Sequence, residues 1–349
     1  MKKIRFLAFT LIVLLLAAML AGCGQRKPEG LFGEASGLDP ASTIAAINGR
    51  NITVEEYLYW LSYHCETMVS ERGDVEWNKV ISDGVTYGEY ARRSALATVI
   101  QFSVARDIAV KYDVRLTDED RAQLQQKKDA DVLRYGGADG YQRHLDMLGV
   151  SEAAYDRISE NYQLVARLVE TAGTYGSSLY PSQATLDAFM KGRDYATVRL
   201  ITLPTSGLDE NGRTTQEALL TECVDQIRQA EDPCAKMEEL AKSLGVTADA
   251  DQTLGSDVID LTLMRAVKEL ETGEVSDVIT IPNAMCIALR RPLDEGAIAR
   301  DCFRNHLAQE RTSAKVEVTD SYKNLDVGKF YTALVELRQN TFGDDSAIK

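Results

Sequence analysis

Apolar residues along this chain keep a helical rhythm through the first half and a strand-like alternation further on. Ala95, Val99 and Phe102, then Tyr141, Leu145 and Leu148, then Tyr155, Ile158, Tyr162, Val165 and Leu168 are spaced by three or four. That spacing predicts amphipathic helices over about residues 88–112, 141–148 and 151–172. Local signals mark where elements begin and end. Thr43-Ile44-Ala45-Ala46-Ile47 reads as a short strand, and Asn48-Gly49 as a tight turn. Thr53 then opens a helix: its hydroxyl can take the Glu56 amide, Glu56 can reach back, and Ile52 can staple onto Tyr57. Thr117 caps a first turn of Asp118-Glu119-Asp120, and that helix stops at Gly136-Gly137. Residues 42–192 are therefore expected to form a mainly helical module whose aromatic and aliphatic stripes face its core.

The rhythm changes after the Gly-Ser-Pro break at residues 173–181 and a short helix over 184–190. Residues 195–203 are strand-like, 215–230 and 237–244 are helical, and 275–281 and 285–289 read as two strands around Pro282-Asn283. These make a compact α+β unit over residues 193–295. A helix over 297–311, a strand at 314–318 and an amphipathic stretch at 326–337 follow. This tail, residues 296–349, is too short to bury a core alone. It is expected to return to the helical module and pair with the strand at 43–47. The fold class is then α+β, a mainly helical module built from both ends of the chain with an α+β domain inserted.

The N-terminus adds an address. Lys2, Lys3 and Arg5 precede an apolar run over residues 6–20, and Leu20-Ala21-Gly22-Cys23 follows. Basic, apolar, then small is the order of a secretory signal, and the run is shorter than the roughly 20 residues a membrane-spanning helix needs. A small-residue cleavage site ending in cysteine is a bacterial lipobox, so residues 1–22 are expected to be removed and Cys23 to carry lipid. The body of the protein then lies on the outer face of the cell membrane. Residues 23–41, rich in Gly and Pro, are expected to be a flexible tether.

Composition narrows the function classes. The signal takes three of the 39 basic residues and none of the 53 acidic ones, leaving a net charge near −17. Such a chain is unsuited to nucleic acid, whose phosphates require Lys and Arg, and is held at an anionic membrane by its lipid instead. Cys65, Cys223, Cys234, Cys286 and Cys302 are odd in number and irregularly spaced, which favours buried thiols over a disulfide framework. His64, His144 and His306 lack partners at metal-ligand spacing, so neither a metal nor a cofactor is expected.

Several segments carry a family resemblance: the opening AAINGRNITVEEY, then MEELAKSLG, TLG, LETGEVSDVI and the final strand AMCIAL. Their order resembles the PrsA/SurA-type extracytoplasmic foldases, which join a helical chaperone module to a parvulin-type (PpiC) peptidyl-prolyl isomerase domain. Leu270-Glu271-Thr272-Gly273-Glu274-Val275-Ser276 is the most specific of these matches. Parvulins carry one histidine in the first strand and another in the last. Here Leu200 stands at the first position and Cys286 at the second, and no histidine lies between His144 and His306. Asp249 or Asp251 is the candidate for the acidic member of that network. The resemblance implies a membrane-anchored chaperone for unfolded or newly exported polypeptides, with a catalytically weak or inactive isomerase domain. An active peptidyl-prolyl isomerase is the alternative, and a solute-binding lipoprotein a further one. A homodimer is compatible with the resemblance, and no confident catalytic residue follows from it.

Overall fold

The computed structural model describes residues 29–248, 250–255 and 261–343. They divide into two compact units, one of residues up to Leu168 and from Leu307 onward, the other Val169–His306. The lipobox and Cys23 lie outside the described residues. No helix among the described residues is long and apolar enough to cross a membrane.

The first unit is mainly helical. Strands β1 (Thr43–Ile47) and β2 (Arg50–Thr53) form a hairpin whose turn residues, Asn48 and Gly49, both have positive φ, as a two-residue turn of this type requires. Helix α2 (Val54–Arg72) follows at once. Thr53 accepts from the Glu56 amide, while Ile52 and Tyr57 are fully buried. The reciprocal capping box forms further on, where Thr117 and Asp120 exchange bonds at the start of α4 (Asp118–Arg134). Between them run a short hairpin, β3 (Val80–Ser82) with β4 (Val85–Thr86), and the long α3 (Tyr87–Lys111). Helices α5 (Ala138–Leu148) and α6 (Glu152–Gly173) complete the N-terminal series.

The tail closes this unit. After α11 (Glu295–Ser313), β9 (Val316–Val318) pairs antiparallel with β1, setting Ala45 against Val318 and Ile47 against Val316. Helix α12 (Asp320–Asn324) brings Tyr322 edge-on to Tyr57, ring centroids 5.5 Å apart. Helix α13 (Val327–Phe342) buries Phe330 and Leu334 in the same core as Trp60, Leu61 and Leu145. Arg338 fastens it, donating Nε to the Met147 carbonyl and Nη1 to Glu66.

One expectation is corrected here. The stretch assigned to a flexible tether contains helix α1 (Gly30–Ser36), whose Phe32 is 0% exposed. The Phe32 ring lies 6.1 Å from that of Phe330, and a side chain at Gly149 would collide with it. Gly and Pro around it conceal a single aromatic anchor that burial in the core outweighs.

The second unit holds α7 (Gln183–Met190) and a four-stranded antiparallel sheet in the order β6-β5-β8-β7. Its strands are β5 (Tyr195–Pro204), β6 (Gln252–Gly255), β7 (Ile279–Ile281) and β8 (Ala284–Arg291). The long central pair sets Leu200 opposite Ala288 and Thr202 opposite Cys286. Because alternate residues face opposite sides, the sheet has two apolar faces. Ile201, Met285, Ile287 and Leu289 pack with α8 (Glu210–Arg228) and α9 (Pro233–Ser243). Val198, Leu200, Cys286 and Ala288 pack with α10 (Leu261–Lys268). Edge strand β6 has no counterpart in the sequence-based expectation.

Candidate functional site

Leu200 and Cys286 lie on one face of one sheet, each directly opposite a residue two positions from the other. Cross-strand diagonals of this kind are within reach of side-chain contact. Both are buried, Leu200 at 8% and Cys286 at 0% exposure, in a cluster with Leu254, Leu263, Met264, Val267 and Ile279. The surroundings these two side chains share are thus aliphatic and sulfur-bearing.

The specific LETGEVS segment builds the edge of β8. Gly273, with φ near +92°, donates its amide to the Arg290 carbonyl, and the Arg290 amide returns to the Glu274 carbonyl. Val275 bridges Leu289. Ser276 donates its amide to the Ala288 carbonyl, and its Oγ accepts the Ala288 amide at 3.0 Å. Gly273 supplies a backbone conformation that side chains disfavour, and Ser276 substitutes for a missing strand acceptor in a buried position.

Of the two acidic candidates, Asp249 lies outside the described residues. Asp251 accepts from Arg199 Nε at 2.9 Å and from Arg291 Nε at 3.0 Å, while Arg199 also pairs with Glu238. Burial would raise the Asp251 carboxyl, but the bonds from Arg291 and Arg199 hold it below the usual range. Arg199 and Arg291 belong to the strand face opposite Leu200 and Cys286. The structure therefore does not bring Asp251 together with the other two. Cys65, Cys223, Cys234, Cys286 and Cys302 all carry thiols, Cys65, Cys223 and Cys286 being buried.

The helical unit presents a second candidate surface that the periodicity alone does not reveal. Trp60 on α2 is the centre of an aromatic cluster, with Phe102 at 5.5 Å, Tyr162 at 5.7 Å and Tyr63 at 5.8 Å between ring centroids. Trp60 is buried, but Tyr63 and Tyr162 are 49% and 54% exposed. The stripe on α6 is thus only partly core: Ile158 and Leu168 are buried, whereas Tyr162 emerges at its edge.

Hollows adjoin this shelf. One of about 320 Å³ is lined by Tyr59, Tyr63, Glu66, Tyr135, His144 and Tyr155. A wider one of about 730 Å³ shares Tyr63 and Glu66 with it and continues to Tyr331, Val335 and Arg338. His144 stacks on Tyr135, centroids 3.9 Å apart, and burial lowers its pKa. Burial, with the Glu66 carboxylate second, pushes the Tyr331 phenol up to about 12. The surface can offer aromatic carbon and neutral hydroxyls over a long concave track.

No protein-family model matches the chain, and no curated protein matches it. Solved structures do. PrsA from Bacillus subtilis is 17% identical, with 77% of this chain and 94% of that one covered and a TM-score of 0.31. Foldase protein PrsA from Streptococcus pneumoniae str. Canada MDR_19A is 16% identical, covering 75% and 92%, with a TM-score of 0.29. A structure from work on PEB4 and Cj1289 of Campylobacter jejuni, described as structurally related SurA-like chaperones, is 10% identical over 80% and 99%, at 0.26. PrsA foldases and SurA-like chaperones are what this chain is similar to among solved structures.

Proposed function

We propose that this protein is a membrane-tethered chaperone of PrsA/SurA type that holds newly exported polypeptides, and that its parvulin-like domain is catalytically weak or inactive. The observation that carries the reading is the shared face of Leu200 and Cys286, buried among aliphatic side chains in an inserted antiparallel sheet.

Rotation about an X–Pro bond faces a barrier of roughly 20 kcal/mol, because conjugation of the amide is lost in the twisted state. A catalyst needs an apolar pocket for the ring and polar groups for the carbonyl and nitrogen. Leu200 offers no polar group, and Cys286 offers a weak one sealed from solvent. The helical unit supports the other half of the proposal. Its half-exposed tyrosines provide rigid amphipathic contact area at low entropic cost, suited to weak and reversible cover of unfolded chains. A lipid on Cys23 keeps that surface where chains emerge.

A solute-binding lipoprotein needs parallel βαβ lobes, whereas every strand pair among the described residues is antiparallel. The test is a pair of assays on residues 24–349. Aggregation of a reduced, unfolded client is expected to be suppressed at near-stoichiometric ratios. Proline isomerisation in a protease-coupled peptide assay is expected to stay at the background rate. Isomerisation well above background assigns an active enzyme instead, and unchecked aggregation removes the chaperone.

A further inference from the structure

The 730 Å³ hollow of the helical unit, between α2 and α13, has a charge pattern beyond simple apolar cover. Tyr63, Val69 and Tyr331 line it together with Glu66, Glu71 and Arg338. Arg338 is 4% exposed and already committed, with Nη1 on Glu66 at 2.6 Å and Nε on the Met147 carbonyl at 2.8 Å. Glu66 therefore balances the only cation in the lining. Glu71, exposed at the rim, adds a carboxylate that no second cation in the lining offsets.

Tyrosine rings and carboxylates attract a cationic side chain together, one through the ring quadrupole and the other through charge. An acidic segment meets like charge in the same place, which costs affinity. The net charge near −17 of the chain without its signal acts in the same direction at long range. Arg338 Nη2 is buried without a hydrogen-bond partner. With Glu66 neutralising its guanidinium and the side chain sealed from solvent, Arg338 presents no free positive charge to the hollow.

Resting on the holding function proposed above, we propose that this hollow selects extended client segments in which a lysine or arginine stands beside aliphatic or aromatic residues. Selection is by the charge of the segment as well as its apolarity.

The experiment uses residues 24–349 and two fluorescein-labelled twelve-residue peptides with the same aliphatic and aromatic residues. One carries two lysines at its centre and the other two glutamates. Binding is read by anisotropy at about 50 mM and 300 mM salt, with client aggregation measured in parallel. The lysine peptide is expected to bind about tenfold more tightly, with the preference narrowing at high salt. Tyr63→Ala and Glu71→Lys, both at exposed positions, are each expected to weaken the lysine peptide about fivefold or more. Glu71→Lys also narrows the ratio between the two peptides. Equal affinity for both peptides, or variants that leave the lysine peptide unchanged, overturns the selective hollow. If aggregation is still suppressed in that case, the holding function stands without it. If the unaltered chain neither suppresses aggregation nor binds either peptide, both fall together.

Discussion

Asp120 is a heavily bonded carboxylate of the helical unit. It accepts from the Thr117 amide and hydroxyl, from Gln163, and from Arg167 through both Nε and Nη2. The Arg167 bonds, against the cost of burial, hold its carboxyl far below its ordinary value of 3.8. Asp120→Asn keeps the shape but removes the carboxylate charge that Arg167 meets through two nitrogens, and is expected to cost about 3 kcal/mol at pH 7 in urea unfolding. A depressed folded-state value means the stabilisation is complete above the unfolded value and is lost as pH falls through the folded one. The gap between wild type and variant should therefore narrow steadily below about pH 4. A constant gap from pH 7 to pH 2 contradicts the assignment. Ser276 gives a second residue-scale prediction. Ser276→Ala removes the acceptor for the buried Ala288 amide and is expected to cost about 1–3 kcal/mol, read in the same unfolding assay. Legibility at this scale was uneven. Strand alternation in the sequence placed Leu200 and Cys286 on strands, and only the family resemblance put those strands in a common sheet. Alternation said nothing about Asp251, whose partners Arg199 and Arg291 meet it only through the register of β5 and β8. Nor did spacing separate buried Ile158 from half-exposed Tyr162, because a stripe has edges that only packing defines.

Helix α1 shows where element-scale inference from composition breaks down. A seven-residue segment between glycines lacks the length for a readable period, yet Phe32 is locked against Phe330 and Gly149. Phe32→Ala is expected to lower the unfolding free energy by about 3–5 kcal/mol. A tether would show no change, so thermal or urea unfolding of this variant separates the two descriptions. The hairpin of β3 and β4 did carry a signal, Asp83-Gly84, both with positive φ in a two-residue turn. Strand β6 carried none. It is a four-residue edge strand without an alternating pattern, and pairing with β5 alone makes it a strand. The long helices were legible because three or more turns of period and a capping threonine agree, as at Thr53 and Thr117. The return of the tail was legible for a different reason: a lone strand and helix cannot bury a core, so they had to complete one elsewhere.

On the scale of the whole molecule, the proposed function joins an anchor, a holding surface and an inserted sheet. The anchor is tested by Cys23→Ala, expected to shift the protein from the membrane fraction to the soluble extracytoplasmic fraction and to abolish palmitate labelling. Retention of both in the variant rejects lipidation at that residue. Thr197 and Arg291 are direct partners in the sheet, so the chain enters and leaves segment 195–293 through neighbouring strands. That holding activity belongs to the helical unit is tested by aggregation suppression with residues 24–349 beside the same chain lacking 195–293. Equal molar protection by the two proteins is the predicted result. Loss of protection in a deletion variant whose helical signal and cooperative unfolding are intact contradicts it.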